Sequence, residues 1–238
     1  MELLDVWEAG QTLSPVQRAL ALLTAALPDV SDRALADMPI GRRDAELLSL
    51  REHLFGSLIV ALADCPNCSE RCELTFEAED IRMTHPFESL FEIQADGYSV
   101  RARPANSLDL MAVHTMDPAA PKERAIIANC TIEARHGDSL VGPDELPDAV
   151  AEAVAHAMSE ADPQADVRMA MDCPACGHQW RALFDVAAFL WREIDAWAKR
   201  SLNEVHALAS AYGWSQRDIL SMSASRRRRY VSMIAQVP

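Results

Sequence analysis

The chain has 238 residues, half of them hydrophobic, which is enough for one large core or two modest ones. Its 36 acidic residues outnumber 22 basic ones, giving a formal net charge of −14 and a pI near 4.8. Such a surface repels phosphate backbones and argues against generic nucleic-acid binding.

The start, MELLDVWEAG, lacks the basic region and long apolar run of a secretory signal. The longest apolar run, SLIVALA at 57–63, is too short to span a membrane. A cytoplasmic protein with no membrane partner is expected. Six cysteines are too sparse for a disulfide scaffold at this length, and the cytosol keeps them reduced.

Along the chain, Trp7 sits in an amphipathic start outside any strong helix. SPVQ at 14–17 predicts a helix start, with Ser14 as N-cap, Pro15 at the first helical position and Gln17 completing a capping box. That helix ends before Pro28, and a short one follows Ser31. IGRRDAELLSLREHLFGSLIVALAD, 40–64, predicts one long helix. Leu47, Leu50, Leu54, Leu58 and Leu62 recur at helical spacing, flanked by Leu48, Phe55 and Ile59 and interrupted by Gly56.

Cys72, Leu74, Phe76 and Ala78 then alternate with polar residues, the mark of a half-buried strand. Asp96-Gly97 predicts a hairpin turn between two more strands, the second alternating Tyr98, Val100 and Ala102. NSLDLMAVHT, PKERAIIANC and 147–160 predict helices, HGDS at 136–139 a turn, and DVRMAM a strand leading into Cys173. Asp185 caps a long helix that stops at Gly213, and two short helices follow.

The most informative residues are two distant turns of one pattern. CPNCSERCELTFEAEDI, from Cys65, and CPACGHQWRALFDVAAFL, from Cys173, align without gaps. Each is a Cys-Pro-x-Cys turn, three residues, then a strand, with Phe76 on Phe184 and Glu77 on Asp185. Zinc takes four ligands tetrahedrally, and each turn offers two thiolates. Cys65, Cys68, Cys173 and Cys176 are therefore the expected ligands of one structural zinc per chain. Four thiolates leave no open position for water or substrate.

Two separate sites recruiting Cys72 and His178 are an alternative, as is a reducible dithiol, although neither turn has the βαβ surroundings of a thioredoxin. Cys72 aligns with Trp180 and reads as buried packing, as does Cys130 at a helix end.

The expected fold class is α+β and mostly helical. A split zinc-ribbon-like knuckle pair joins N- and C-terminal helical segments around an inserted α/β middle. The expected divisions are a helical segment 1–64, a first knuckle and strand 65–81, an insertion 82–165, a second knuckle with strands 166–184, and a helical segment 185–238.

No HExxH, G-x-S-x-G, P-loop or G-x-G-x-x-G pattern is present, so no enzyme is expected. Glu52-His53 reads as an exposed pair, and His114, His156 and His206 as surface or satisfied residues. RRRR at 226–229 points around a whole helix and is expected to pair with acids here or on a partner. Trp191 and Trp197, six apart on one helix, do not share a face: either one lies in the core and one is exposed to a protein partner, or both pack at home.

SPVQRALALLTAALP, IGRRDAELLSLREHLFG, the two Cys-Pro-x-Cys turns and FLWREIDAWAKRSLNEVHALASAYGWSQRDILSMS together resemble the T-even phage baseplate hub assembly chaperone family. The form resembled is the one found beside phage-tail-like contractile injection systems. The likeness covers about two-thirds of the chain, and its most telling stretches are Gly41–Glu52 and His206–Ser215. The resemblance implies a non-enzymatic assembly chaperone or structural adaptor whose partners are baseplate, hub or spike proteins. It brings no catalytic motif. The alternative function is a zinc-ribbon nucleic-acid-binding regulator; a third reading is a thiol oxidoreductase.

Overall fold

The computed structural model describes residues 3–83 and 88–234. The chain divides into two units, one of residues 1–11 with 191–238 and one of residues 12–190.

The larger unit holds helices α2 (Pro15–Ala26), α3 (Asp32–Asp37), α4 (Ile40–Phe55), α5 (Ser107–His114), α6 (Lys122–Cys130) and α7 (Asp148–Ala161). Its strands are β1 (Leu58–Asp64), β2 (Arg71–Glu77), β3 (Phe91–Ala95), β4 (Tyr98–Ala102), β5 (Thr131–His136), β6 (Ser139–Leu140), β7 (Arg168–Asp172) and β8 (Gln179–Leu183). The strands form a four-stranded sheet, β3-β4-β5-β6, and two separate antiparallel hairpins, β1-β2 and β7-β8. The fold is mixed α+β, rich in helix with small sheets, as expected.

Local chemistry accounts for the element ends. Ser14 and Gln17 make the reciprocal capping box before α2, and the Ser31 hydroxyl accepts from Ala34 N–H at the start of α3. Asp96 and Gly97 both have positive φ, 49° and 81°, so the β3–β4 turn has the twist a two-residue hairpin needs. Val100, Ala102, Ala134, Val150, Ala151 and Val154 close the core between this sheet and α7.

The long helix expected over 40–64 is corrected. It stops at Gly56, whose φ of +90° and ψ of 179° suit glycine alone, and Leu58–Asp64 is a strand. The leucine period fitted a helix, but the turn at Cys65 reverses the chain and sets seven residues of β1 against β2, from Leu58↔Glu77 to Asp64↔Arg71. Leu58 and Leu62 consequently leave the expected core stripe and face solvent. The β5–β6 pair around the 136–139 turn is the other strand feature that alternation did not reveal.

Buried polar groups position the two hairpins. Gln164, 1% exposed, donates through Nε2 to Ile81 O at 3.2 Å and accepts through Oε1 from Met83 N–H at 2.7 Å. One side chain thus ties the segment leaving β2 to the segment entering β7. Two residues earlier, Asp162 Oδ2 accepts from Gly41 N–H at 2.8 Å in the first turn of α4, where the helix dipole favours a carboxylate. Arg82 pairs with Glu52 on α4, so Glu52 serves as an ion-pair partner.

The smaller unit contains α1 (Leu3–Gly10), α9 (Gln216–Ser221) and α10 (Ala224–Ile234). The intervening α8 (Val186–Tyr212) begins in the larger unit. Asp185 accepts from Ala188 N–H to cap α8, as expected, and Gly213 ends it with φ +69°. Trp7 lies in a helix after all, and its indole donates to Asp195 Oδ1 at 3.0 Å. Trp191 and Trp197 are both half-buried, so a division of one to the core and one to the surface does not hold. In the arginine run, Arg227 is buried and donates to Glu204 Oε2 at 2.8 Å and to Met222 O.

Candidate metal centre

Cys65 and Cys68 lie on the turn joining β1 to β2, and Cys173 and Cys176 on the turn joining β7 to β8. The two turns repeat each other bond for bond. Cys65 N–H donates to Glu70 O at 2.8 Å, and Cys173 N–H to His178 O at 2.9 Å. Ser69 N–H returns to Cys65 O at 2.8 Å, and Gly177 N–H to Cys173 O at 2.9 Å. The returning residues both have positive φ, 62° at Ser69 and 70° at Gly177. Behind each turn, the backbone N–H two residues past the second cysteine points at its sulfur, Glu70 at Cys68 and His178 at Cys176.

The hairpins bring all four sulfurs together. Cys65 Sγ lies 3.7 Å from Cys176 Sγ, Cys68 Sγ 3.6 Å from Cys173 Sγ, and every pair falls within 4.8 Å. A disulfide needs about 2.05 Å, and the cysteines are free. Four sulfurs at the corners of a tetrahedron with bonds of about 2.3 Å to a central ion stand about 3.8 Å apart. The Cys65–Cys176 and Cys68–Cys173 separations match that spacing, and the four residues suit a tetrahedral thiolate-bound metal.

The thiols have unequal acidity. The Asn67 side-chain amide, 3.5 Å away, and the His178 backbone N–H hold the Cys176 thiol down at about 6. Burial opposes the Cys173 thiolate, yet the Cys176 and Ala175 backbone N–H groups and the Cys68 thiol keep it below its ordinary range. The Glu70 backbone N–H favours a Cys68 thiolate, but hydrogen bonding to Cys176 and burial outweigh it and push Cys68 up to about 12. A cation at the centre relieves the repulsion of four thiolates.

Below the sulfurs, Cys65, Cys72, Met171 and Cys173 form a small buried core with Leu74, Met169 and Trp180 packed against it. Cys72 is 5% exposed and lies outside the four-sulfur group, and burial pushes its thiol up. His178 stacks on Trp180 with ring centroids 6.1 Å apart. Phe76 and Phe184, the aligned aromatics, meet edge to face at 5.3 Å and join the hairpins at their far ends. Cys130 is fully buried elsewhere, between Asp109 and Arg103.

Sequence reasoning missed Asn67 and Gln164. Asn67 stands opposite Ala175 in the aligned turns, so that difference was its only trace. Gln164 had none, because its partners are backbone atoms 81 and 83 residues away.

A family model described as T4 bacteriophage base plate protein matches residues 14–191, well over half of the chain. The chain belongs to that baseplate family. The match takes in both cysteine turns, the stretch Gly41–Glu52 and the middle of the chain; His206–Ser215 lies beyond it. No curated protein and no solved structure matches this baseplate-family chain. Among its described residues, no helix is long and apolar enough to cross a membrane.

Proposed function

We propose that the chain is a non-enzymatic assembly chaperone or structural adaptor for the baseplate hub of a phage-tail-like contractile particle. It acts in the cytoplasm, with Cys65, Cys68, Cys173 and Cys176 holding one structural zinc. The single observation that carries the metal reading is four sulfurs mutually within 4.8 Å on two matched turns. Membership of a baseplate family supports the baseplate role.

The ion would supply structural charge only, since four protein ligands leave it no open position. Each turn contributes two sulfurs, backbone N–H groups orient them, and Phe76 against Phe184 with Gln164 below hold the hairpins in register. The product of that arrangement is a rigid platform between the segment before Cys65 and the segment after Cys176. It also encloses the middle of the chain as an insertion.

Two measurements test the proposal. Metal analysis of the purified chain should return about one zinc per chain; two would mean separate sites. Co-expression with each neighbouring baseplate subunit, purified on a single tag, should yield a stable complex with a hub or spike protein. Failure to retain any of them would refute the adaptor role.

A further inference from the structure

The two hairpins present four strand edges, and one of them is unlike the rest. Beyond the ends of the β1–β2 ladder, Cys65 N–H bonds Glu70 O and Ala78 N–H bonds Ser57 O. Bonded and non-bonded pairs alternate along an antiparallel ladder. Ile59, Ala61 and Ala63 therefore exchange bonds with Phe76, Leu74 and Cys72. Leu58, Val60 and Leu62 turn their N–H and C=O groups away from β2. Among the described residues no strand pairs with that edge.

The same parity fixes the other edges. The outward residues are Glu73, Thr75 and Glu77 on β2, Arg168, Ala170 and Asp172 on β7, and Gln179, Arg181 and Leu183 on β8. Each of these three edges includes at least one charged residue, the usual protection against pairing with another chain. On β1 the outward residues are aliphatic, with Leu58 53%, Val60 50% and Leu62 57% exposed. Three large apolar side chains and a row of free backbone donors and acceptors thus share one edge.

The surroundings select the occupant. From Leu58 to Asp80 the chain has six carboxylates and one basic residue, Arg71, which is already paired with Asp64 at 3.2 Å. Asp64, Glu73 and Glu77 share a face with Leu58, Val60 and Leu62. A second copy of the chain brings the same carboxylates and a further −14 of charge, and so is disfavoured. We propose that the free edge of β1 docks an extended segment of another protein, apolar at alternate residues and basic at its ends, which adds to the hairpin as a third strand. Backbone bonds to Leu58, Val60 and Leu62 give affinity, the aliphatic row selects apolar side chains, and Asp64 with Glu73 and Glu77 selects the cationic ends.

The test uses the full chain and a fluorescein-labelled peptide, Lys-Thr-Val-Thr-Val-Thr-Val-Thr-Lys, followed by anisotropy. Its three valines fall opposite Leu62, Val60 and Leu58 when one lysine faces Asp64. Saturable binding is expected. N-methylating the three valines, which removes the bonding N–H groups and keeps the side chains, should weaken it about tenfold or more. Val60→Pro should do the same, because it deletes an outward N–H and no ladder bond. Replacing both lysines by glutamate should weaken binding severalfold, less so in high salt, and Leu183→Lys on the other hairpin should leave it unchanged. Circular dichroism checks that each variant folds, and the N-methylated peptide needs no variant. Absence of binding at millimolar peptide, or equal binding of the N-methylated form, would overturn strand addition. So would a dimer in sedimentation that Val60→Pro abolishes, which would make the occupant a second copy.

Discussion

The β1–β2 and β7–β8 hairpins share a turn, down to the left-handed residue after the second cysteine, and differ in what they show to solvent. The first presents Leu58, Val60 and Leu62 beside carboxylates; the second presents Arg168, Asp172, Gln179 and Arg181. Their inner faces differ less: Cys72 and Leu74 on one meet Met171 and Trp180 on the other, and Phe76 meets Phe184. The proposed shared metal would constrain the turns that supply its four thiolates and the inner faces that pack beneath them. It would place no constraint on the outer faces, and there the two hairpins differ.

If the turns are equivalent, breaking either should have the same large effect. Cys68→Ser and Cys176→Ser should each abolish zinc retention, measured by metal analysis. Each should remove most of the metal-linked folding free energy, on the order of 10 kcal/mol for a structural site. A strong chelator should do likewise to the unaltered chain. Unequal losses from the two serine variants would break the equivalence.

The aromatic pair sharpens the comparison at the next level. Phe76 is 8% exposed and Phe184 only half-buried. Phe76→Ala should cost about 3–5 kcal/mol in chemical denaturation and Phe184→Ala clearly less. Gln164→Leu comes third. It strands Ile81 O and Met83 N–H in a buried setting and should cost about 1–3 kcal/mol.

The smallest effect concerns the left-handed residues. Ser69→Gly should stabilise by about 0.5–1 kcal/mol, because glycine takes a φ of 62° without strain. Gly177→Ser should destabilise by a similar amount through backbone strain alone, since a Cβ there meets no atom within 4 Å.

The sulfur cluster was legible in the sequence because its two halves repeat. A Cys-Pro-x-Cys turn restricts local geometry, and its recurrence with Phe76 on Phe184 announced a partner. The caps were legible for the same reason: Ser14 and Asp185 each act on a residue three positions away. What failed was β1. Leu58 and Leu62 continue the leucine period of α4, and only the ladder to β2, with Gly56 at φ +90°, decides against a helix. The run of exposed aliphatics at the hairpin edge was hidden by that same misreading. Gln164 and Asn67 act across long separations and left no periodic trace.

The separation between the two turns also orders events during synthesis. Cys68 and Cys173, whose sulfurs touch in the finished molecule, are 105 residues apart. A ribosome that has released the first pair must still translate the whole intervening sheet and its helices before the second pair emerges. Until then only two of the four proposed ligands, Cys65 and Cys68, have been made. With the proposed zinc, four-thiolate coordination can form only after Cys173 and Cys176 emerge, and any truncation upstream of Cys173 lacks it.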